Sequence, residues 1–197
     1  WAMDQKINDG GVEIGKVLVE KAIRVDGAYQ NQKIKEASAL TNLENPNSPS
    51  QIKKWLETKG IKVKSLSKEK VKELLGEVED PSVKRVLELR QELSKTSVKK
   101  YEAMKRAMCH DERVRGLMKF YGANRTGRWS SKLVQTQNLP RNNMDNLEDA
   151  RMLLKTGNFD MLEILFDSMP DVLSQLIRTA FIPSQNSRFI VSDFSAI

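Results

Sequence analysis

Residues 80–108 have the sequence DPSVKRVLELRQELSKTSVKKYEAMKRAM, in which side chains of one kind recur every three or four positions. The recurring positions are Val83, Val86 or Leu87, Arg90, Leu93, Ser97, Tyr101, Met104 and Met108. That spacing is the period of an α-helix with one face against a core. Asp80 followed by Pro81 indicates a helix start, because aspartate accepts hydrogen bonds from the first turn and proline fits the first helical position. The sequence therefore predicts one long amphipathic helix here.

The residues before this stretch predict a partner for it. A second long helix is expected at about 16–40, where apolar residues again follow a helical period. Between the two, Ser48, Pro49 and Gln51 indicate a capping box that starts a short helix, which Gly60 ends. Another short helix fits 67–75, with Gly76 as its stop. We therefore expect a long antiparallel helix hairpin with a small lysine-rich tip.

After Cys109 the pattern changes from helical to mixed. Strands are predicted at 113–121, 181–183 and 188–193, and helices at 145–154, 158–166 and 171–178. Asp145 and Glu148 have the spacing of a second capping box. A polar turn at 184–187 joins the last two strands. The predicted fold class is α+β, mostly helical, with a small antiparallel sheet and its helices in the second half.

The positive charge is concentrated in one segment. The net charge is +7, and residues 51–106 alone hold 13 Lys and 3 Arg against 9 acidic residues. A concentrated basic surface attracts polyanions, and its affinity falls with salt through counterion release. Two interpretations stay open on charge alone: a nucleic-acid surface and a solvated lysine-rich helical face.

Several protein classes are excluded by composition. The chain has one cysteine and one histidine, so neither an internal disulfide nor a Cys2His2 zinc site can form. Its mean hydropathy is −0.52, and no apolar run approaches the roughly 20 residues of a spanning helix. The first residues lack a signal-peptide pattern. We therefore expect a cytoplasmic protein with no membrane partner, and its first and last residues suggest a piece of a longer chain.

Two segments carry residues suited to chemistry. Residues 124–141 hold three arginines among hydroxyl and amide side chains, which supply contacts to phosphates and base edges. A polar loop that caps its neighbours is the alternative. Asp193 follows the last apolar run, where a carboxylate can bind a cation such as Mg²⁺ or serve as a turn residue. The run from Cys109 to Glu112 is interpreted as the polar end of a helix.

Together these segments form a specific pattern. The motifs are Thr126-Gly127-Arg128-x-Ser130-Ser131, Gln137-Asn138-Leu139-Pro140 and, about fifty residues later, Val191-Ser192-Asp193-Phe194-Ser195-x-Ile197. In this order they resemble the family A DNA polymerases of bacteria and phages. Gly11-Val12-x-Ile14 is similar to the start of that family's polymerase region. Residues 45–48 and 89–95 are similar to its thumb, so the resemblance covers nearly the whole chain.

The resemblance implies a division of the chain and a role for each motif. Residues 1–15 would start the polymerase region, 16–108 would form the helical thumb, and 109–197 would form a partial palm that ends in the first catalytic motif. The implied catalytic residue is Asp193, one of two aspartates that would hold two Mg²⁺ ions in the intact enzyme, with the carbonyl of Phe194 as a further ligand; this part alone is expected to bind none. The implied nucleotide-binding residues are Ser195, Ala196 and Ile197. The implied DNA-binding residues are Arg128, Gln137, Asn138, Arg141, Asn45, Asn47, Ser48, Arg90 and Lys95.

The resemblance also implies a reaction and partners. The parent enzyme would transfer a nucleotide from a dNTP to the 3′-hydroxyl of a primer annealed to template DNA. The helical stretch 142–178 is longer than in compact bacterial members, which favours a phage or prophage version in a bacterial cytoplasm. With one aspartate of the required pair, these residues alone should bind primer–template DNA without activity. The alternatives are a non-catalytic nucleic-acid-binding module and a structural helical protein whose basic tip binds an acidic partner.

Overall fold

Helices make up most of the first hundred residues, and short strands and further helices follow. The computed structural model describes residues 2–94 and 98–191. In chain order the elements are α1 (Ala2–Gly10), β1 (Val12–Ile14), α2 (Lys16–Thr41), α3 (Pro49–Thr58), α4 (Lys68–Glu77), α5 (Pro81–Leu93), α6 (Val98–Ala107), β2 (Arg113–Val114), β3 (Met118–Ala123), β4 (Arg128–Ser131), α7 (Leu147–Thr156), α8 (Phe159–Leu165), α9 (Met169–Leu176) and β5 (Phe181–Ile182), with 3₁₀ turns at Thr136–Asn138 and Ile177–Ala180. The predicted α+β class is confirmed.

The chain divides into two compact units. The smaller unit is Val25–Thr96, and the larger unit combines Trp1–Arg24 with Ser97–Ile197. These bounds come from contacts between residues. The division at residues 15 and 108 comes from the resemblance instead, and it stays a prediction.

The smaller unit is held by its own apolar core. The core residues are Ile52, Leu56, Val71, Leu74, Val83 and Leu87, contributed by α3, α4 and α5. Asp80 caps α5 as expected, since its carboxylate accepts hydrogen bonds from the N–H groups of Ser82 and Val83. Helices α2 and α5 are antiparallel, because Tyr29 bonds Glu92 while Glu36 bonds Arg85. The predicted helix hairpin is therefore present.

Two expectations about these helices are wrong. The helix predicted at 80–108 is not continuous, because α5 ends at Leu93 and Ser94 caps it, while α6 begins at Val98. Serine favours such ends because its side chain competes for backbone hydrogen bonds. The Ser48 capping box is absent: the Ser48 hydroxyl bonds Ser50, and the Gln51 side chain accepts from the Asn45 N–H.

The larger unit contains a small antiparallel sheet. The strand order is β2-β1-β5, with Val12 opposite Val114 and Ile14 opposite Phe181. Its helices bury fully enclosed leucines at positions 18, 154, 162, 173 and 176. Tyr101 is also fully buried, and its hydroxyl donates to the Leu173 carbonyl at 2.6 Å. Burial raises the pKa of the Tyr101 hydroxyl.

Several predicted elements of this unit differ in detail. The strand predicted at 113–121 is broken at Gly116, whose positive φ of 67° separates β2 from β3. Residues 188–191 form no strand, and Val191 is 92% exposed with no strand opposite it among the described residues. The Asp145 capping box is absent, since α7 starts after Asn146 and Glu148 instead pairs with Arg151.

The remaining helices lie close to their predicted positions. Helix α8 begins after Asn158, whose side chain accepts from the Met161 N–H. Helix α9 begins two residues early, with Pro170 in its first turn. Within the described part of the chain, no helix has the length and apolar character needed to cross a bilayer.

Candidate nucleic-acid interface

The hairpin of β3 and β4 presents Arg128 to solvent. Its turn, 124–127, is closed by the N–H groups of Thr126 and Gly127, which both donate to the Ala123 carbonyl. Gly127 has a φ of 66°, which glycine adopts without the clash that other residues meet. Arg128 follows at the first position of β4, opposite Ala123, and its side chain is exposed. The hairpin thus places the predicted DNA-contacting arginine next to its turn.

The pairing of β3 with β4 is irregular, and a glycine makes it possible. The register shifts between Lys119 and Ala123, which is the signature of a bulge. A Cβ atom on Gly122 would lie 1.8 Å from the Ser130 hydroxyl oxygen. Gly122 is therefore required for the close approach of β4, and any side chain there would force the hairpin apart.

Long side chains from other elements bind the backbone of the segment that follows the hairpin, residues 134–140. Lys100 donates to the Val134 carbonyl at 2.8 Å, and Arg178 donates to the carbonyls of Leu139 and Pro140 at 2.9 and 2.6 Å. Val134 and Leu139 are buried. The backbone between these anchors is fixed, because both of its ends are bonded and packed.

The fixed segment turns its predicted DNA-binding residues outward. Gln137 and Asn138 lie in the 3₁₀ turn, Arg141 follows Pro140, and all three side chains are exposed. Two amide side chains and a guanidinium next to each other can donate to phosphates and to acceptors on base edges. The structure therefore brings together three of the residues that the sequence proposed.

Sequence reasoning missed the residues that support this surface. Asn8 bonds both the N–H and the carbonyl of Met118 at 2.9 Å, so its amide completes the edge of β3 as a strand would. Lys100 and Arg178 act on carbonyls 34 to 39 positions away in the chain. No local sequence signal marks such partners, because their role depends on the tertiary fold.

In the smaller unit, the loop before α3 gathers most of the other predicted contacts. The Asn45 side chain accepts from the Asn47 N–H at 3.0 Å, and Arg90 donates to the Asn47 carbonyl at 3.2 Å. The Asn47 Oδ1 and the Arg90 Nε are buried with no hydrogen-bond partner among the described residues. Ser48 lies beside them. The structure thus places Asn45, Asn47, Ser48 and Arg90 together.

Two groups of lysines in the smaller unit differ in their pairing. Some are ion-paired: Lys70 with Glu73 at 2.7 Å, Lys59 with Asp80 at 3.5 Å and Lys33 with Glu92 at 3.8 Å. Glu73 raises the pKa of Lys70. A second group on α3, α4 and the loop between them is exposed and makes no ion pair with another described residue: Lys54, Lys62, Lys64, Lys68 and Lys72. This second group forms a cationic surface available to a polyanion.

The polar residues after α6 form a turn of the fold. Asp111 makes two bonds to the Arg115 guanidinium, at 2.8 and 2.6 Å, and that partner holds the pKa of the Asp111 carboxyl well below its usual range. Across 2–94 and 98–191, no group of three or more His, Cys, Asp or Glu side chains could hold a metal ion. Lys95, Asp193, Phe194, Ser195, Ala196 and Ile197 lie outside the described residues.

Comparison with known proteins shows that the chain is similar to a phage protein. No family model matches the chain. Across all 197 residues it is 58% identical to the DNA polymerase of Bacillus phage SP02. The chain is thus similar, from end to end, to part of a phage DNA polymerase. It spans about 30% of that protein's length.

Proposed function

We propose that this chain is the part of a phage-type, family A DNA polymerase that holds the primer–template duplex and supplies the first catalytic carboxylate. The observation that carries the proposal is the 58% identity to a phage DNA polymerase over the full chain. The proposed thumb is 16–108, which contains the smaller unit, and the proposed partial palm is 109–197, which belongs to the larger unit. Its surroundings are the cytoplasm of a bacterial cell, where a phage genome is copied.

The exposed residues of the larger unit suit contact with the paired primer end. Arg128 would donate to the minor-groove acceptors of the terminal base pair, which are present in every correct pair. Gln137, Asn138 and Arg141 would contact the duplex beside it, since their backbone is fixed and their side chains are exposed. Such contacts check the shape of a base pair and carry little sequence preference.

The smaller unit would contact the DNA backbone. Arg90, Asn45, Asn47, Ser48 and Lys95 would bind phosphates, joined by the exposed lysines at the tip of the unit. Phosphate contacts fix position and orientation without reading sequence. The isolated chain should therefore bind DNA of any sequence, with an affinity that falls as salt rises.

The chemistry would be nucleotidyl transfer from a dNTP to the primer 3′-hydroxyl. Asp193 and the Phe194 carbonyl offer hard oxygen donors of the kind that Mg²⁺ prefers. A pair of Mg²⁺ ions, when bound, activates the attacking oxygen and stabilises the leaving group, which requires paired carboxylates. Ser195, Ala196 and Ile197 would lie under the incoming nucleotide. Because these residues supply one carboxylate of the pair, the chain alone should bind DNA without extending it.

Arg128→Ala tests the proposal on the chain as it is. We expect binding of a fluorescent primer–template to weaken by roughly ten- to a hundred-fold, since one good contact to a base edge is worth about 1 to 3 kcal/mol. The preference for a matched over a mismatched primer end should shrink as well. Fluorescence anisotropy at fixed salt measures both effects.

Arg151→Ala is the matched control. It removes the same charge from the larger unit, but Arg151 is already paired with Glu148 on α7. If both variants bind matched and mismatched DNA alike, charge alone explains the binding and the assigned role of Arg128 is wrong. If the parent chain binds no DNA at low salt, the proposed function fails.

A further inference from the structure

Three aromatic rings lie together on the surface of the β3–β4 hairpin. Phe120, Tyr121 and Trp129 are 56%, 56% and 40% exposed. The ring centroids of Phe120 and Trp129 are 5.4 Å apart in an edge-to-face arrangement, and those of Phe120 and Tyr121 are 6.3 Å apart. We call these three side chains the aromatic cluster. Large aromatic residues usually bury their rings, so an exposed cluster calls for an explanation.

The backbone of the hairpin is shaped to hold the cluster. Neighbouring residues of a regular strand point to opposite faces, so Phe120 and Tyr121 would ordinarily be separated. Here the register shift and a positive φ of 51° at Tyr121 bring the two rings to within contact of one another. A bulge of this kind re-aims a side chain. A positive φ at a tyrosine is strained, and it persists only where the surrounding structure holds it.

Gly127 completes the arrangement. A Cβ atom at this position would lie 2.9 Å from Cε2 of the Tyr121 ring. The ring therefore lies directly over the turn, in space that only a glycine leaves open. The strained backbone of Tyr121 and the absence of a side chain at Gly127 together keep the rings in contact at the surface.

The cluster lies among cations. Lys119, Arg125, Arg128 and Lys132 are exposed on or beside the same two strands. The sequence from 113 to 144 contains no acidic residue, and none of these four cations makes an ion pair with another described residue. A polyanion is thus the partner whose charge complements this surface.

We propose that the aromatic cluster is a stacking site for unpaired bases of single-stranded DNA, with Lys119, Arg125 and Lys132 binding the phosphates that link them. Every base has a face that stacks on an aromatic ring, and ring-and-cation surfaces of this composition bind single strands with little sequence preference. The inference rests on the proposed function, which brings DNA to this hairpin. It adds a site for a strand outside the duplex, such as template beyond the primer end.

The fluorescence of Trp129 gives a direct test. In the Trp1→Phe/Trp55→Phe variant of the chain, Trp129 is the remaining tryptophan. Titration with short oligothymidylate should quench its emission to saturation, because a stacked base contacts the ring. An abasic oligomer of the same length carries the same phosphates and no bases. We expect it to bind more weakly and to leave the emission unchanged.

Phe120→Ala supplies the variant arm. We expect oligothymidylate binding to weaken roughly five- to a hundred-fold, the loss expected for one stacked base. Leu133→Ala is the matched control, because Leu133 is equally exposed at 57% and outside the cluster. Its binding should equal that of the parent. The quenching experiment uses no substitution in the aromatic cluster, so it tests the proposal even if Phe120→Ala fails to fold.

Each result has a definite reading. Equal binding of oligothymidylate and the abasic oligomer, with no quenching, overturns the stacking site. If primer–template duplex still binds in that case, the proposed function survives without the inference. If single strands quench Trp129 while duplex fails to bind, the inference survives and the proposed function fails.

Discussion

The two cationic regions of this protein differ in how their charges are held. In the smaller unit, exposed lysines project from and between short helices over a core that those helices form themselves. In the larger unit, arginine and amide side chains lie on a hairpin and a 3₁₀ turn whose backbone is bonded by Asn8, Lys100 and Arg178. One region offers mobile charges, and the other offers donors in fixed positions.

The difference suggests a division of labour in DNA binding. A lysine ammonium is a point charge on a flexible stem, which suits a phosphate backbone of any sequence. An arginine on a fixed strand can present donors at a defined place, which suits the edge of a base pair. We therefore expect the smaller unit to set affinity and its salt dependence, and the larger unit to set selectivity for a correctly paired end.

Asp193→Ala should give the largest effect and would separate catalysis from DNA binding. We would place residues 1–197 in the phage SP02 polymerase in place of the segment they match, and measure primer extension by that chimera. Loss of a proposed metal ligand should lower turnover by several orders of magnitude, at about 1.4 kcal/mol of barrier for each factor of ten. Affinity for primer–template DNA should hold. Near-normal extension by this variant would contradict the metal role.

Leu56→Ala tests whether each unit depends on its own core. Leu56 is fully buried in the smaller unit, so truncation should lower the free energy of unfolding by about 2 to 5 kcal/mol. Trp55 reports on the smaller unit and Trp129 on the larger, so single-tryptophan variants can follow each in denaturant. The Trp55 transition should shift the more. Leu173→Ala, in the core of the larger unit, should shift the Trp129 transition more than the Trp55 transition. If either variant shifts both transitions equally, the two units share one core.

The triple variant Lys62→Ala/Lys64→Ala/Lys68→Ala tests whether the smaller unit binds DNA phosphates. If each lysine neutralises one phosphate, the slope of log affinity against log salt should become shallower by roughly 3. Duplex binding by anisotropy across a salt series measures that slope. The control removes the same charge from the ion-paired lysines, as Lys33→Ala/Lys59→Ala/Lys70→Ala. Equal slopes for the two variants would assign the effect to net charge.

The smallest expected effect is a pH dependence of the smaller unit. Arg85 donates to both carboxylate oxygens of Glu36, at 2.6 and 3.1 Å, and holds the pKa of Glu36 below its ordinary value of about 4.3. A lowered pKa means that the pair stabilises the fold above that ordinary value, and the contribution is lost as pH falls through the folded pKa. The denaturant midpoint of unfolding, measured by Trp55 fluorescence, should fall between pH 6 and pH 3. Glu36→Gln and Arg85→Met should each make that fall smaller. An unchanged fall in both variants would exclude this pair as its source.

Much of the helical architecture follows from the sequence, because apolar spacing, proline and a capping residue act locally. The long helix α2, the short helix after Pro49 and the start of α5 at Asp80 are examples. The break at Ser94 was missed, since the apolar period continues on both sides of it. The bulge at Tyr121 was missed as well, because it depends on contacts of Gly122 and Gly127 across the hairpin.

The candidate site divides in the same way. Residue types in 124–141 nominate the surface, and the fold shows that Gln137, Asn138 and Arg141 are presented outward. Their support by Lys100 and Arg178 could not be predicted, because each acts across more than thirty residues. The two predicted capping boxes failed because Gln51 and Glu148 have other partners nearby. Spacing alone does not choose between competing hydrogen bonds.

Primer extension by the unsubstituted chimera tests the central claim most directly. The claim is that these 197 residues do the work of the matching segment of the SP02 polymerase, to which they are 58% identical. We predict that the chimera extends a matched primer on a DNA template, and that the isolated chain binds the same primer–template without extending it. A chimera that folds and binds primer–template DNA but adds no nucleotide would contradict the account.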